Sequence, residues 1–297
     1  MPSTRDIRRR IKSVKNTAQI TKAMQMVASS KMQKAQQLAL QGRPFALMVR
    51  ELITHICADS ENISHPLMEV RPVKKRVVVV ISTDKGLCGA LNSNLFRETN
   101  KFDAATTDFV AVGRKAAQFL HRAKRKLIAE FTYHDTPTYS EAQAVSKCVQ
   151  ELFLKGEVDE VVVIFTRFIN TLSQRPDSRI ILPMVPVEKA EQQAAEAHAR
   201  ATALKSGEEK PCYDFLFEPD ANTVMERLML YLVDFRIAQL LLEAKASEQS
   251  ARMVAMKSAT DNAKQLVKDL TLEYNKMRQA SITKELLEIS SAQMALG

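Results

Sequence analysis

The stretch with the strongest claim to chemistry is Thr83-Asp84-Lys85-Gly86-Leu87-Cys88-Gly89-Ala90-Leu91-Asn92. It follows a run of β-branched residues, Val77-Val78-Val79-Val80-Ile81-Ser82, and leads into a helical pattern through Phe96. A glycine-bearing loop at a helix N-terminus presents backbone N–H groups to an anion such as phosphate. This loop lacks both the Gly-Lys-Ser/Thr end of a P-loop and the three-glycine dinucleotide fingerprint, so a tight strand-to-helix turn is its default reading. The histidines, His55, His65, His121, His134 and His198, form no ligand pair at helical spacing. Cys57, Cys88, Cys148 and Cys212 are scattered without metal-site spacing and fit a reducing compartment. Ser82, Asp84 and Cys88 are close in sequence, yet no partner base accompanies them. No catalytic constellation, cofactor site or metal site is expected.

The elements around the loop read as an α/β domain over residues 73–187. Expected strands are Val77–Ser82, Phe109–Val112, a short one at Leu127–Phe131, Glu160–Thr166 and Ile180–Val185. Helical patterns lie between them, from Arg114 to about Lys124 and from about Ser140 to Lys155. Strands continuous in apolar residues and alternating with helices predict a mainly parallel sheet. Residues 188–211, rich in Ala, Glu and Gln and ending in a Gly- and Pro-bearing polar run, read as an insertion or flexible linker.

Two breaker-free segments flank this domain. From Asp220 to Leu296 there is no Pro or Gly, and a 3,4 spacing from Val224 (Leu228, Tyr231, Phe235, Ala238, Leu242, then Met256, Ala259, Ala263, Leu266, Leu270) gives a coiled-coil seam within the 212–297 segment. It turns polar at Lys245, Gln249 and Arg252. In the 1–58 segment the same spacing gives Ile7, Ile11, Val14, Ala18, Ala28, Met32, Ala35 and Ala39, with a polar break at Thr21 and Gln25. The pattern pauses at Gly42-Arg43-Pro44 and resumes from Phe45 to about Ala58. Matching the polar breaks predicts an antiparallel pair with Thr21 beside Arg252, Gln25 beside Gln249 and Ile7 beside Leu266. The C-terminal helix then projects alone beyond Leu266. An unpartnered helix carrying Leu270, Met277, Ile282, Leu286, Leu287 and Ile289 needs an enclosing partner. The fold class is therefore α/β, a long antiparallel coiled coil plus a domain with a mainly parallel sheet.

The net charge of +9 is uneven: residues 1–40 hold nine Lys or Arg against Asp6 alone, while 220–297 hold ten of each sign. The basic helix is read as a solvated face or as contacting an acidic protein partner. The alternative is a basic coiled-coil nucleic-acid binder through Arg8, Arg9, Arg10, Lys12 and Lys15, although aromatic interleaving and any DNA-binding motif are missing. No apolar run reaches the ~18 residues of a membrane span. The N-terminus has no secretory h-region, and its heptad seam places it in the mature helix.

Three blocks, in order, carry a resemblance. They are Arg5-Asp6-Ile7 with Ile20-Thr21-Lys22-Ala23-Met24-Gln25-Met26-Val27-Ala28, the Ser82–Asn92 loop, and Ser247–Lys257 with Tyr274–Thr283. The chain resembles the γ subunits of F-type ATP synthases along its whole length. The resemblance implies a non-catalytic rotor shaft inside a ring of three α and three β subunits, with a foot that binds ε and sits on the membrane c-ring. It implies no nucleic acid and a membrane link only through the c-ring, on the cytoplasmic face of a bacterial inner membrane. By motif match it implies that Arg278, Gln279 and Thr283 contact β. Met24 and Arg252 form a coupling neck, and Phe215, Phe217 and Glu218 meet the c-ring. The small apolar end, Ala292, Met294, Ala295 and Leu296, would suit a bearing.

Overall fold

The structure, a computed structural model, describes residues 4–59, 65–184, 218 and 220–296. The chain runs α1 (Thr4–Asp59), a 3-10 turn (Pro66–Met68), β1 (Arg76–Ile81), α2 (Leu91–Thr99), β2 (Thr107–Val112), α3 (Arg114–Arg122), β3 (Leu127–Phe131), α4 (Tyr139–Leu154), β4 (Glu160–Phe168), β5 (Gln174–Leu182) and α5 (Ala221–Leu296). The expected insertion at 188–211, Val185 at the end of the last expected strand, and Phe215 and Phe217 lie outside the described residues, as do the side chains of Ala292, Met294, Ala295 and Leu296.

The five strands lie in the order β3-β2-β1-β4-β5, parallel except for β5, which pairs antiparallel with β4. In β1 the pleat sends Val77, Val79 and Ile81 to one face and Val78 and Val80 to the other. The first face packs with α4 and α5, through Val149, Phe153, Val233, Ile237 and Leu241; the second packs with α2 and α3, through Leu95, Ala116 and Leu120. This two-sided burial is why the sequence shows an unbroken apolar run rather than alternation. β5 begins well before the expected Ile180. Its first half, Gln174-Arg175-Pro176-Asp177-Ser178-Arg179, is polar and contains a proline, which an edge strand tolerates because one side of its backbone needs no ladder partner.

α5 belongs to this core and leaves it as one helix of 76 residues, about 114 Å at ~1.5 Å per residue. Asp220 caps its start, accepting from the Thr223 backbone N–H at 2.8 Å. Asp234, buried among apolar side chains, accepts from Tyr139, Gln143 and Gln150 of α4 and so ties α4 to α5; burial of the phenol, with the Asp234 charge adding to it, pushes the Tyr139 pKa up to about 12.

α1 runs antiparallel to α5, and each expected seam position in α1 is buried or half-buried, while most of the residues between them are exposed. The pause at Gly42-Arg43-Pro44 is not a break: α1 continues through Pro44 to Asp59. Packing along α5, including Phe45 on Phe235 with ring centroids 5.1 Å apart, holds the helix where proline removes one backbone bond.

The register differs from the expected one. Thr21 Oγ1 lies 2.7 Å from Thr260 Oγ1, and a Cβ on Gly42 would sit 2.3 Å from Gln239 Nε2. Both contacts place the helices one heptad from the expected pairing of Thr21 with Arg252. Lys245 and Arg252 of the polar break in the α5 seam are answered by the α/β domain rather than by α1, so matching polar with polar across the two helices selected the wrong slip. In the observed register α1 ends near Met277, and the projecting part of α5 is residues 278–296 rather than 267–296.

Candidate functional site

Among the described residues, the buried charges Lys245, Glu248 and Arg252 collect where α5 crosses the C-terminal ends of the strands. β1 and β4 are neighbours from which the chain departs in opposite directions, the switch point at which open α/β sheets ordinarily bind ligands. Here α5 fills it. Ser247 Oγ donates to the Thr166 carbonyl at 2.8 Å and Ser250 Oγ to the Thr171 carbonyl at 2.9 Å. Arg252 Nη2 donates to the carbonyls of Lys85 and Gly86 at 3.4 and 3.3 Å. The glycine loop therefore offers carbonyl oxygens to a guanidinium, and the phosphate reading of that loop has no support here.

The turns are held by short-range bonds. Thr83 Oγ1 donates to the Lys85 carbonyl at 2.8 Å and accepts from Asn92 Nδ2 at 2.8 Å. Ser82 Oγ accepts from the Ala116 N–H at 2.7 Å. Gly113, at φ +101°, passes so near that a Cβ would meet the Ser82 carbonyl oxygen at 2.4 Å; only glycine fits there. Tyr133 OH donates to the Ser82 carbonyl at 2.8 Å, and burial pushes its phenol well above the ordinary value.

A line of alternating charge crosses this junction. Lys31 of α1 pairs with Asp135 Oδ2, and Lys245 Nζ lies 3.3 Å from Asp135 Oδ1. Lys245 Nζ is 3.0 Å from Glu248 Oε2, an ion pair off the hydrogen-bonding direction, and 5.1 Å above the Tyr133 ring. Glu248 Oε1 is 2.7 Å from Arg252 Nη2. The Lys245 and Glu248 side chains are each 3% exposed; charges buried that deeply persist only when paired. The hydrogen bond from Lys31, with Lys245 adding to it, holds the Asp135 carboxyl at about 2. A cavity of about 250 Å³ remains between Cys88, Asn94, Gln174 and Val254. The Cys88 thiol is pushed up by burial, which disfavours a reactive thiolate.

The second candidate surface is the end of α5. Arg278, Gln279 and Thr283 are exposed there, with Thr283 Oγ1 bonded back to the Gln279 carbonyl at 2.9 Å. Around them Ile282, Leu286, Leu287 and Ile289 are bare, Leu286 being 62% exposed. Met24 is half-buried on α1 and Arg252 is buried at the junction; the register sets Met24 opposite about residue 257 rather than beside Arg252. Glu218 is exposed. The structure thus brings together Arg252, the 83–86 loop, Lys245 and Glu248, and separates them from Arg278, Gln279 and Thr283. Sequence reasoning did not single out Lys31, Tyr133 or Asp135. The signal was Lys245, a charge on a seam that α1 does not answer.

No described helix is long and apolar enough to cross a membrane, and among the described residues no cluster of three or more His, Cys, Asp or Glu could hold a metal ion.

Comparison with known proteins agrees with this geometry. The family model described as ATP synthase matches residues 3–296. The ATP synthase gamma chain of Methylacidiphilum infernorum is 45% identical over 302 aligned positions, covering all of both chains. That of Opitutus terrae is 47% identical over 297, covering 99% of each. In shape, the chain is similar to one from the Euglena gracilis mitochondrial ATP synthase OSCP/F1/c-ring structure, with TM-score 0.68, 21% identity and coverage of 99% of this chain and 94% of that one. It is also similar to one from the Tetrahymena thermophila central stalk/c-ring structure, with TM-score 0.58, 24% identity and coverage of 81% and 99%. On this match over nearly its full length, the chain belongs to the family of ATP synthase gamma chains.

Proposed function

We propose that the chain is the central rotor shaft of the F1 part of a proton-translocating ATP synthase, a non-catalytic subunit that couples rotation of a membrane c-ring to conformational change at catalytic β subunits. The observation that carries this reading is the end of α5, an uninterrupted helix that outruns its partner with its apolar side chains bare. Such a surface is unfavourable in water and fits a sleeve; the similar Euglena gracilis OSCP/F1/c-ring structure is an assembly that supplies one. The sleeve is a ring of three α and three β subunits, and an asymmetric shaft within it favours a different β conformation at each face. Arg278, Gln279 and Thr283 contact β in this reading, and Met24 and Arg252 form the neck. The α/β domain, residues 73–187, is the foot on ε and the c-ring, with Phe215, Phe217 and Glu218 at the ring. Residues 1–58 and 212–297 form the coiled coil, and 188–211 an insertion. The protein is peripheral to the membrane, and we place it on the cytoplasmic face of a bacterial inner membrane. No observation favours the nucleic-acid reading.

Co-expression with the cognate α and β subunits and native mass spectrometry tests this. One copy per three α and three β, with ATPase activity dependent on the chain, is expected; failure to assemble overturns the reading.

A further inference from the structure

The charges Lys31, Asp135, Lys245, Glu248 and Arg252 tie together three bodies: α1, the rim of the sheet after β3, and α5. The tie matters because the two helices are attached to the α/β domain differently. α5 is part of its core and is gripped by the ends of β1 and β4. α1 lies along α5 on a seam rich in alanine and reaches the α/β domain at Lys31. Apolar contact along such a seam is non-directional and resists sliding or rolling weakly. A carboxylate shared by two cations is directional, and Asp135 is placed for that, with Oδ2 toward Lys31 of α1 and Oδ1 toward Lys245 of α5. Its depressed pKa keeps it charged at any physiological pH.

We propose that Asp135 is the torsional clamp of the shaft, a positioning residue that fixes α1 and α5 to the α/β domain so that a turn of the foot reaches both helices together. This rests on the rotor reading above. Without the clamp, load is taken by α5 alone and α1 lags by rolling on the alanine seam.

The test uses the assembled complex in inverted membrane vesicles, reading ATP-driven proton pumping per ATP hydrolysed. Asp135→Asn, which keeps the shape and loses the charge, and Lys31→Met should each lower that ratio by about two- to fivefold, the size expected for a partly exposed ion pair. The double variant should be no worse than Asp135→Asn alone, because that change already removes the pairing with Lys31. Asp135→Glu should restore most of the ratio. An unchanged ratio in both variants, or additive defects, overturns the clamp. Loss of assembly in Asp135→Asn with normal coupling in Lys31→Met gives Asp135 a folding role instead and overturns it too. Native mass spectrometry separates the two ideas: if the unaltered chain does not assemble with α and β, the rotor reading fails, and if the variants assemble and couple normally, only the clamp does.

Discussion

At Asp135 one side chain reports on the whole junction. Its carboxyl is held at about 2 against an ordinary 3.8, first by the bond from Lys31. Because the folded value lies below the unfolded one, the pair stabilises the fold above pH 4, and that contribution is lost as pH falls toward 2. The difference in melting temperature between the unaltered chain and Asp135→Asn should therefore be constant from pH 7 to about 5 and shrink between 4 and 2; a difference that does not change over that range would show that the carboxylate is not what Lys31 and Lys245 hold. With Asp135 nearly half exposed, solvent screening keeps the effect small. Lys245 shows what a sequence can and cannot say about such a site. A lysine on an apolar seam announces that something other than a hydrophobic partner is near, but the identity of that partner depends on a loop more than a hundred positions away, which spacing does not encode.

At the level of elements, the local patterns were readable and the relations between distant ones less so. The β-branched run of β1, the helices after Gly113 and Thr138, and the seam of α1 stand where periodicity places them, whereas on the α5 seam Tyr231 and Leu266 lie exposed. The first half of β5 does not announce itself, because an edge strand is free to be polar. The slip of one heptad between α1 and α5 has a physical origin: any shift by seven residues preserves the seam, so register is decided by groups outside the pair. Here those groups belong to the α/β domain: Asp135 takes Lys31 of α1, while the backbone carbonyls of Thr166, Thr171 and Lys85 take Ser247, Ser250 and Arg252 of α5. Disulfide formation checks this. Oxidising Thr21→Cys with Thr260→Cys should close a bridge within one chain, whereas Met24→Cys with Arg252→Cys, about five residues or roughly 7 Å out of step along the axis, should stay reduced. The reverse outcome would restore the other register.

For the molecule as a whole, the same helix is core of the α/β domain and tip of the projection, with no hinge between them. Removing residues 278–296 should leave the isolated chain's thermal unfolding nearly unchanged, since the side chains of residues 278–291 are exposed, while weakening its hold in an assembled complex. A large fall in melting temperature would mean that the projecting segment packs on its own chain. The pairing of Thr21 with Thr260 spans 239 positions, and this has a consequence for synthesis. α1 leaves the ribosome well before α5. At ~5–20 residues per second, the basic, apolar-striped α1 waits on the order of tens of seconds for the helix it packs against. During that time its seam is open to any other apolar surface. The α/β core waits as well, for Val233, Ile237 and Leu241. A shaft whose two helices lie so far apart in sequence is therefore finished all at once, when α5 emerges, and until then both the seam of α1 and the face of the sheet that α5 covers stay open.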